Sequence, residues 1–205
     1  WVLSSYNDLP QARRDIAAHA SRLAAVIVEP MQGGAGAIPG DPAFITGLAD
    51  AWRDHGVLFV IDEVMTSRLG YGGAQARYGV TPDLMTMAKA LTNGAQPMGA
   101  VAARQGVYDT ITNAGPERGV EFFHGYTYSA HPLACAAGIA TLDTYADEGL
   151  LTRAKELEGY FADAVHSLKG EPNVIDIRNL GLIGGIELAP ITNQPTKRAF
   201  DIFLD

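Results

Sequence analysis

Cysteine and lysine are both scarce in this chain. The single cysteine, Cys135, excludes an internal disulfide and suits a reducing compartment such as the cytoplasm. Its expected place is a buried packing position in a small-residue helix. No apolar run approaches the roughly 18–20 residues that a membrane helix needs, and no signal-peptide pattern opens the chain. Basic runs are missing and the formal net charge is −8, which argues against nucleic acid as a partner. No Cys/His/carboxylate spacing suits a metal, so His124 and His131 are expected to be structural or interface residues. Internal repeats and low-complexity tracts are absent. Lysine is missing from the first 154 residues with one exception, Lys89. A buried ammonium is costly unless paired or neutralised, so a solitary lysine at the edge of an apolar segment calls for a chemical reason.

What the chain does contain is ordinary globular material: 205 residues, 47% hydrophobic and 19% charged, with 23 Gly and 11 Pro. That is enough for one sizeable core and part of a second domain. The start at Trp1 and the stop inside a helix-like "AFDIFLD" read as an excerpt of something longer.

Four apolar runs stand out: "AAVIVEP" (24–30), "VLFVIDE" (57–63), "DLMTMAKA" (83–90) and "MGAVAAR" (98–104). Their Val, Ile, Leu and Met content, almost without polar alternation, suits strands buried on both faces of a parallel sheet. The first three begin 33 and 26 residues apart, the spacing of β-α-β units. Between the first two, "GDPAFITGLADAWRDHG" has Asp41 as N-cap, Pro42 at the first helical position and Gly56 just past the end. Only residues 91–97 separate the third run from the fourth, too few for a parallel crossover of a dozen or more residues, so the fourth strand is expected antiparallel. Beyond it, residues 131–149 predict a helix entered at Pro132. Residues 150–170 predict a longer amphipathic helix, and "NVIDIRNLGLIGGIELAP" predicts a hairpin. A domain change is expected near 145–170, with residues 1–147 ending a large α/β domain and 148–205 beginning a smaller one.

Ligands of open α/β sheets bind outside the carboxyl ends of the strands. In this chain those ends carry Glu29, Asp62 and Lys89, two carboxylates and one amine. A lysine at a partly desolvated rim can lose its proton and attack a carbonyl, forming a Schiff base. If the carbonyl belongs to pyridoxal phosphate, a fixed carboxylate such as Asp62 would keep the ring nitrogen protonated. The competing reading is a structural Lys89–Asp62 ion pair, a weaker explanation because buried pairs are often no better than apolar packing. "GGAGAIPG" (33–40) is no dinucleotide loop on this reading, since Pro39 and a delayed helix break the required context.

"VIVEPMQGGAG", "LFVIDEVMTS", "GVTPDLMTMAKALTNGAQPMGAV" and "HGYTYSAHPLACAAG" resemble the class III (ω-type) aminotransferases, nearest to those that use ω-amino acids and pyruvate. The resemblance implies an aspartate-aminotransferase-like α/β fold (fold type I) and pyridoxal phosphate as cofactor. It implies that Lys89 is the Schiff-base lysine, that Asp62 pairs with the pyridine nitrogen and that Val64 packs on a ring face. Thr127 would bind the cofactor phosphate of the neighbouring subunit in a homodimer with shared sites, and Glu29 would lie near the substrate. An amino donor and a keto acid acceptor such as pyruvate are the implied partners. The segment "TSRLGYGGAQARYG" (66–79) is closer to aminomutase-like and β-amino acid-acting members, so a glutamate-1-semialdehyde-type aminomutase is an alternative, as is a non-catalytic α/β fragment. Family members are longer: the phosphate-binding turn, a ring-stacking aromatic and the C-terminal substrate contacts are expected outside these residues.

Overall fold

Asp8 opens the first helix, α1 (Leu9–His19), by accepting the Gln11 N–H at 2.9 Å, with Pro10 in the first turn. The computed structural model, which describes residues 1–120, 122, 124 and 126–204, continues from α1 into β1 (Ala25–Val28). Two two-residue strands follow, β2 (Met31–Gln32) and β3 (Ile38–Pro39), paired antiparallel. The Gly-rich run is therefore the turn of a small hairpin, with Gly36 at φ 109, and the next helix begins only at Pro42. That geometry offers no strand-to-helix phosphate cradle.

Helix α2 (Pro42–His55) ends on Gly56 at φ 65, a left-handed cap that glycine adopts without a Cβ penalty. At its start Asp41 has the extended backbone of an N-cap, but its side chain makes no cap bond; its own N–H donates to Asn7 Oδ1 at 2.8 Å. The buried face of α2 (Phe44, Ile45, Leu48, Ala49 and Trp52) packs with Ala12 and Ile16 of α1. It joins them to Val28 of β1 and to Phe59 and Ile61 of β4 (Leu58–Asp62). Trp52 stacks on Phe59 with centroids 5.9 Å apart. Each of the large aliphatic and phenylalanine side chains buried here contributes about 1.5–3 kcal/mol of transfer free energy.

From β4 the chain passes through α3 (Gly73–Tyr78) to β5 (Leu84–Met87) and returns directly as β6 (Ala100–Ala103). The sheet order is β1-β4-β5-β6, with the first three strands parallel and β6 antiparallel to β5. The short 91–97 link thus has the consequence expected of it. Burial on both faces is not general. β4, flanked on both edges, is buried on its two faces at Phe59 (0% exposed) and Val60 (8%), whereas Val101 on the edge strand β6 is 65% exposed. Asp83 ties the strand entrances together: its carboxylate accepts the Phe59 N–H at 2.9 Å and Arg104 at 3.3 Å. Its carbonyl accepts the Arg104 N–H at 2.9 Å. Helices α4 (Gln105–Asn113) and α5 (Pro132–Asp147) complete the first of two compact units, Trp1–Pro30 with Gly40–Leu151.

The second unit combines Met31–Pro39 with the chain from Thr152 onward. The single helix expected over 150–170 is two, α6 (Leu150–Glu156) and α7 (Glu158–His166), parted at Leu157. Gly170 at φ 98 and Pro172 then prevent its continuation. The predicted hairpin is present as β7 (Val174–Leu180) and β8 (Ile183–Leu188), turning at Gly181 with φ 57. Arg178 joins the two hairpins of this unit. Its guanidinium pairs with Asp176 and Glu187, and its Nε–H donates to Gly36 O at 3.1 Å. The bond to Glu187 raises its already high pKa. Helix α8 (Lys197–Leu204) follows. Among the described residues no helix is long and apolar enough to cross a membrane.

Candidate functional site

The register of the parallel strands sets the site. Val28 lies opposite Ile61, so Glu29 and Asp62 follow at one level, and Asp62 lies opposite Thr86. Glu29 is half-buried, and its carbonyl accepts the Tyr6 hydroxyl at 2.8 Å. Burial pushes the Tyr6 phenol up.

Lys89 comes two residues after β5 ends, as the first residue of a 3-10 turn, Lys89–Leu91. Its φ is 41°, in the left-handed region where a non-glycine side chain costs about 1–3 kcal/mol. The left-handed step takes it off the strand alternation. Its side chain is exposed rather than buried, which corrects the expectation of a desolvated ammonium. No hydrogen-bond or ion-pair partner of its amine exists among the described residues, and Lys89 and Asp62 form no ion pair. A structural charge pair therefore does not explain either residue.

Asp62, half-buried, accepts the Val64 N–H on Oδ1 at 2.9 Å, an Asx-type bond that fixes the carboxylate against its own turn. Its second oxygen has no partner among the described residues. Glu63 between them is 0% exposed. It accepts the Thr66 hydroxyl at 2.6 Å and the N–H groups of Ala74 and Gln75 at 2.9 and 2.6 Å. Glu63 was not singled out from the sequence; its only signal is the pair Gly72-Gly73, which leaves room for it. A Cβ on Gly73 would lie 2.7 Å from Glu63 Oε2.

The Thr86 hydroxyl, in register with Asp62, is buried without a partner among the described residues. One free amine, one free carboxylate oxygen and one orphaned buried hydroxyl thus gather around adjacent strand ends. The buried Thr86 hydroxyl would normally be paired, and with the Lys89 amine and the free Asp62 oxygen it fits a polar ligand with an aldehyde and a ring N–H, as pyridoxal phosphate has.

Val64 and Thr127 line one open groove of about 1340 Å³ together with Ala88, Met98 and Ala134; Lys89 and Asp62 are not among its lining residues. Thr127 is exposed in a turn in which the Ser129 N–H reaches Tyr126 O at 3.0 Å. Gly125, in the same motif, lies outside the described residues. His131 Nδ1 accepts the Leu133 N–H at 3.3 Å, making this histidine the cap of α5. His124 contacts the rings of Phe122 and Tyr126, at 5.2 and 4.1 Å between centroids. Cys135 is half-buried on the groove wall, and Ala134 takes the buried position expected for it.

Known proteins match this chain over most of its length. The chain is 51% identical over 193 residues to the omega-aminotransferase of Caulobacter vibrioides, covering 93% of this chain and 44% of that protein. It is 52% identical over 186 residues to the beta-alanine–pyruvate aminotransferase of Pseudomonas aeruginosa, covering 89% and 41%. The chain therefore spans less than half the length of these relatives. Among solved structures, an (S)-enantioselective omega-transaminase from Thermomicrobium roseum superposes with a TM-score of 0.81 at 32% identity, covering 88% of this chain and 40% of that one. The α/β sheet, three parallel strands with an antiparallel fourth, is the aspartate-aminotransferase-like arrangement (fold type I). The profile of the family described as "Aminotransferase class-III" matches residues 7–204, almost the whole chain. With a match of that extent over a sheet of that topology, this chain belongs to the class-III aminotransferase family.

Proposed function

We propose that this chain is the cofactor-holding part of a pyridoxal-phosphate-dependent transaminase, with Lys89 holding the cofactor aldehyde and Asp62 its ring nitrogen. The observation that carries the reading is the Lys89 amine, unpartnered among the described residues, on a left-handed residue just past a strand whose neighbour ends in Asp62. Bound there, pyridoxal phosphate supplies an aldehyde that condenses with amines and a protonated ring that accepts an electron pair from the substrate carbon. Asp62 holds the proton at the ring nitrogen, its own orientation fixed by the Val64 N–H. Lys89 Nζ would take and return the proton at the reacting carbon. Val64 packs against a ring face, and the Thr127 hydroxyl donates to the phosphate of the partner subunit in a homodimer.

For an ω-amino acid or amine as donor and a keto acid such as pyruvate as acceptor, the support is the name of the Pseudomonas aeruginosa relative, which pairs beta-alanine with pyruvate. A cytoplasmic setting is supported by the single cysteine. The test is borohydride reduction of the full-length protein with pyridoxal phosphate, followed by peptide mass analysis. The expected result is a reduced adduct on Lys89, and an adduct elsewhere overturns the reading. A strict requirement for a separate keto acid separates transamination from amino transfer within one molecule.

A further inference from the structure

The turn that carries Lys89 is unusual in its backbone. Lys89, Asn93 and Gly94 have φ of 41°, 51° and 81°, and two of the three carry side chains. A strained turn of this kind persists only where its surroundings over-determine it. Inside the turn, the Leu91 N–H donates to Ala88 O at 2.9 Å and the Asn93 N–H to Lys89 O at 2.8 Å. Further support comes from α5, more than fifty residues away in sequence. The half-buried Tyr145 hydroxyl donates to Ala90 O at 2.7 Å and accepts from Asn93 Nδ2 at 2.8 Å, spanning the turn from one side to the other. Two turns earlier on α5, Gly138 keeps the helix close: a Cβ there would lie 3.3 Å from Met98 Sδ and 3.8 Å from Leu91 O. The Tyr145 carbonyl in turn accepts the Tyr71 hydroxyl at 3.3 Å.

We propose that Tyr145 is a positioning residue for Lys89, its hydroxyl bridging Ala90 O and Asn93 Nδ2 so that the left-handed turn presents the amine in one place. This rests on Lys89 being the residue that holds the cofactor aldehyde. Tyr145 makes no hydrogen bond to the Lys89 side chain, so it acts only through the turn, by way of Ala90 O and the Asn93 side chain. Without the phenolic oxygen, Ala90 O and the Asn93 amide lose their shared partner and the turn can relax toward an ordinary φ. The amine then loses alignment with the carbon whose proton it moves, and small misplacements of a catalytic group are expensive in rate. The Tyr145 hydroxyl bonds to groups of this turn alone among the described residues, so the loss is expected on kcat rather than on KM.

The experiment uses the full-length holoenzyme and the variants Tyr145→Phe and Asn93→Ala, with Lys89→Ala as control. In Tyr145→Phe, kcat is expected to fall about tenfold with KM for donor and acceptor within about twofold. The pH midpoint at which the absorption band of the bound cofactor changes should shift as well. Asn93→Ala, which keeps the Tyr145–Ala90 bond, should shift both readouts in the same direction by less. If Tyr145→Phe does not fold, Asn93→Ala decides alone. Unchanged kcat and an unchanged spectral midpoint overturn the proposal even if thermal stability drops, because a merely structural role moves only the latter. Covalent cofactor retained by Lys89→Ala would instead overturn the assignment of Lys89, a separate failure.

Discussion

Glu63 accepts the backbone N–H of Ala74 at 2.9 Å from a position with no solvent exposure. Removing it as Glu63→Ala strands two N–H groups and the Thr66 hydroxyl in a dry site. The cost in unfolding free energy of the full-length protein should be about 3 kcal/mol or more. Glu63→Gln keeps the shape and should recover part of this. Gly73→Ala should also destabilise, since its φ of 66° and the 2.7 Å approach to Glu63 both oppose a Cβ. Denaturant unfolding checks all three, and a neutral Glu63→Ala would refute the clamp.

Asp62 and Lys89 should fail differently. Lys89→Ala is expected to lose the covalent adduct and to reduce turnover by orders of magnitude. Asp62→Asn keeps a side-chain oxygen for the Val64 N–H but cannot hold a proton at the ring nitrogen. It should keep the cofactor on Lys89 while kcat falls by about a hundredfold or more. Reduced-adduct mass and steady-state rates read the two effects separately, and near-normal transamination by either variant contradicts the proposed role of that residue.

Phe59 is the centre of the first unit's core, unexposed and stacked on Trp52. Phe59→Ala should cost about 3–5 kcal/mol, combining lost transfer energy with a cavity that β4 and α2 cannot collapse. A loss under about 1 kcal/mol, measured by denaturant unfolding, would mean the site repacks freely.

Alkaline pH should loosen the β1 end of the sheet. Burial pushes the Tyr6 phenol up, with Tyr78 and Glu29 adding to it, and burial raises Tyr78 too. An unfolded tyrosine titrates near 10. The folded values lie above that, so this stabilisation is complete below about pH 10 and declines as pH rises from there through the folded values. Tyr6→Phe should lower the plateau by about 1 kcal/mol, through the lost bond to Glu29 O, and flatten the alkaline limb. Equal alkaline slopes for wild type and Tyr6→Phe would count against this.

Much of the sheet could be read in advance because its signals are local. Pro42 and Gly56 bracket α2 through φ preferences of single residues, and seven residues between two apolar runs leave only an antiparallel return. Asp62 and Lys89 stand out in the sequence as ionisable residues at strand ends, the place where α/β sheets bind ligands. Glu63 does not, since an acid beside another acid has no local signature of burial. Neither the separation of α6 from α7 at Leu157 nor the grouping of Met31–Pro39 with the second unit shows in residue patterns.

Residue patterns alone, then, set the strand directions, the helix limits near proline and glycine, and the pair of ionisable residues at neighbouring strand ends. These depend on backbone preferences and hydrophobic runs spanning a few residues. Folding was needed to leave Lys89 exposed on a left-handed turn, to bury Glu63 against the start of α3, and to bring Tyr145 onto Ala90. Those arrangements come from hydrogen bonds between groups far apart along the chain, whose partners are chosen only when the folded backbone brings them within reach.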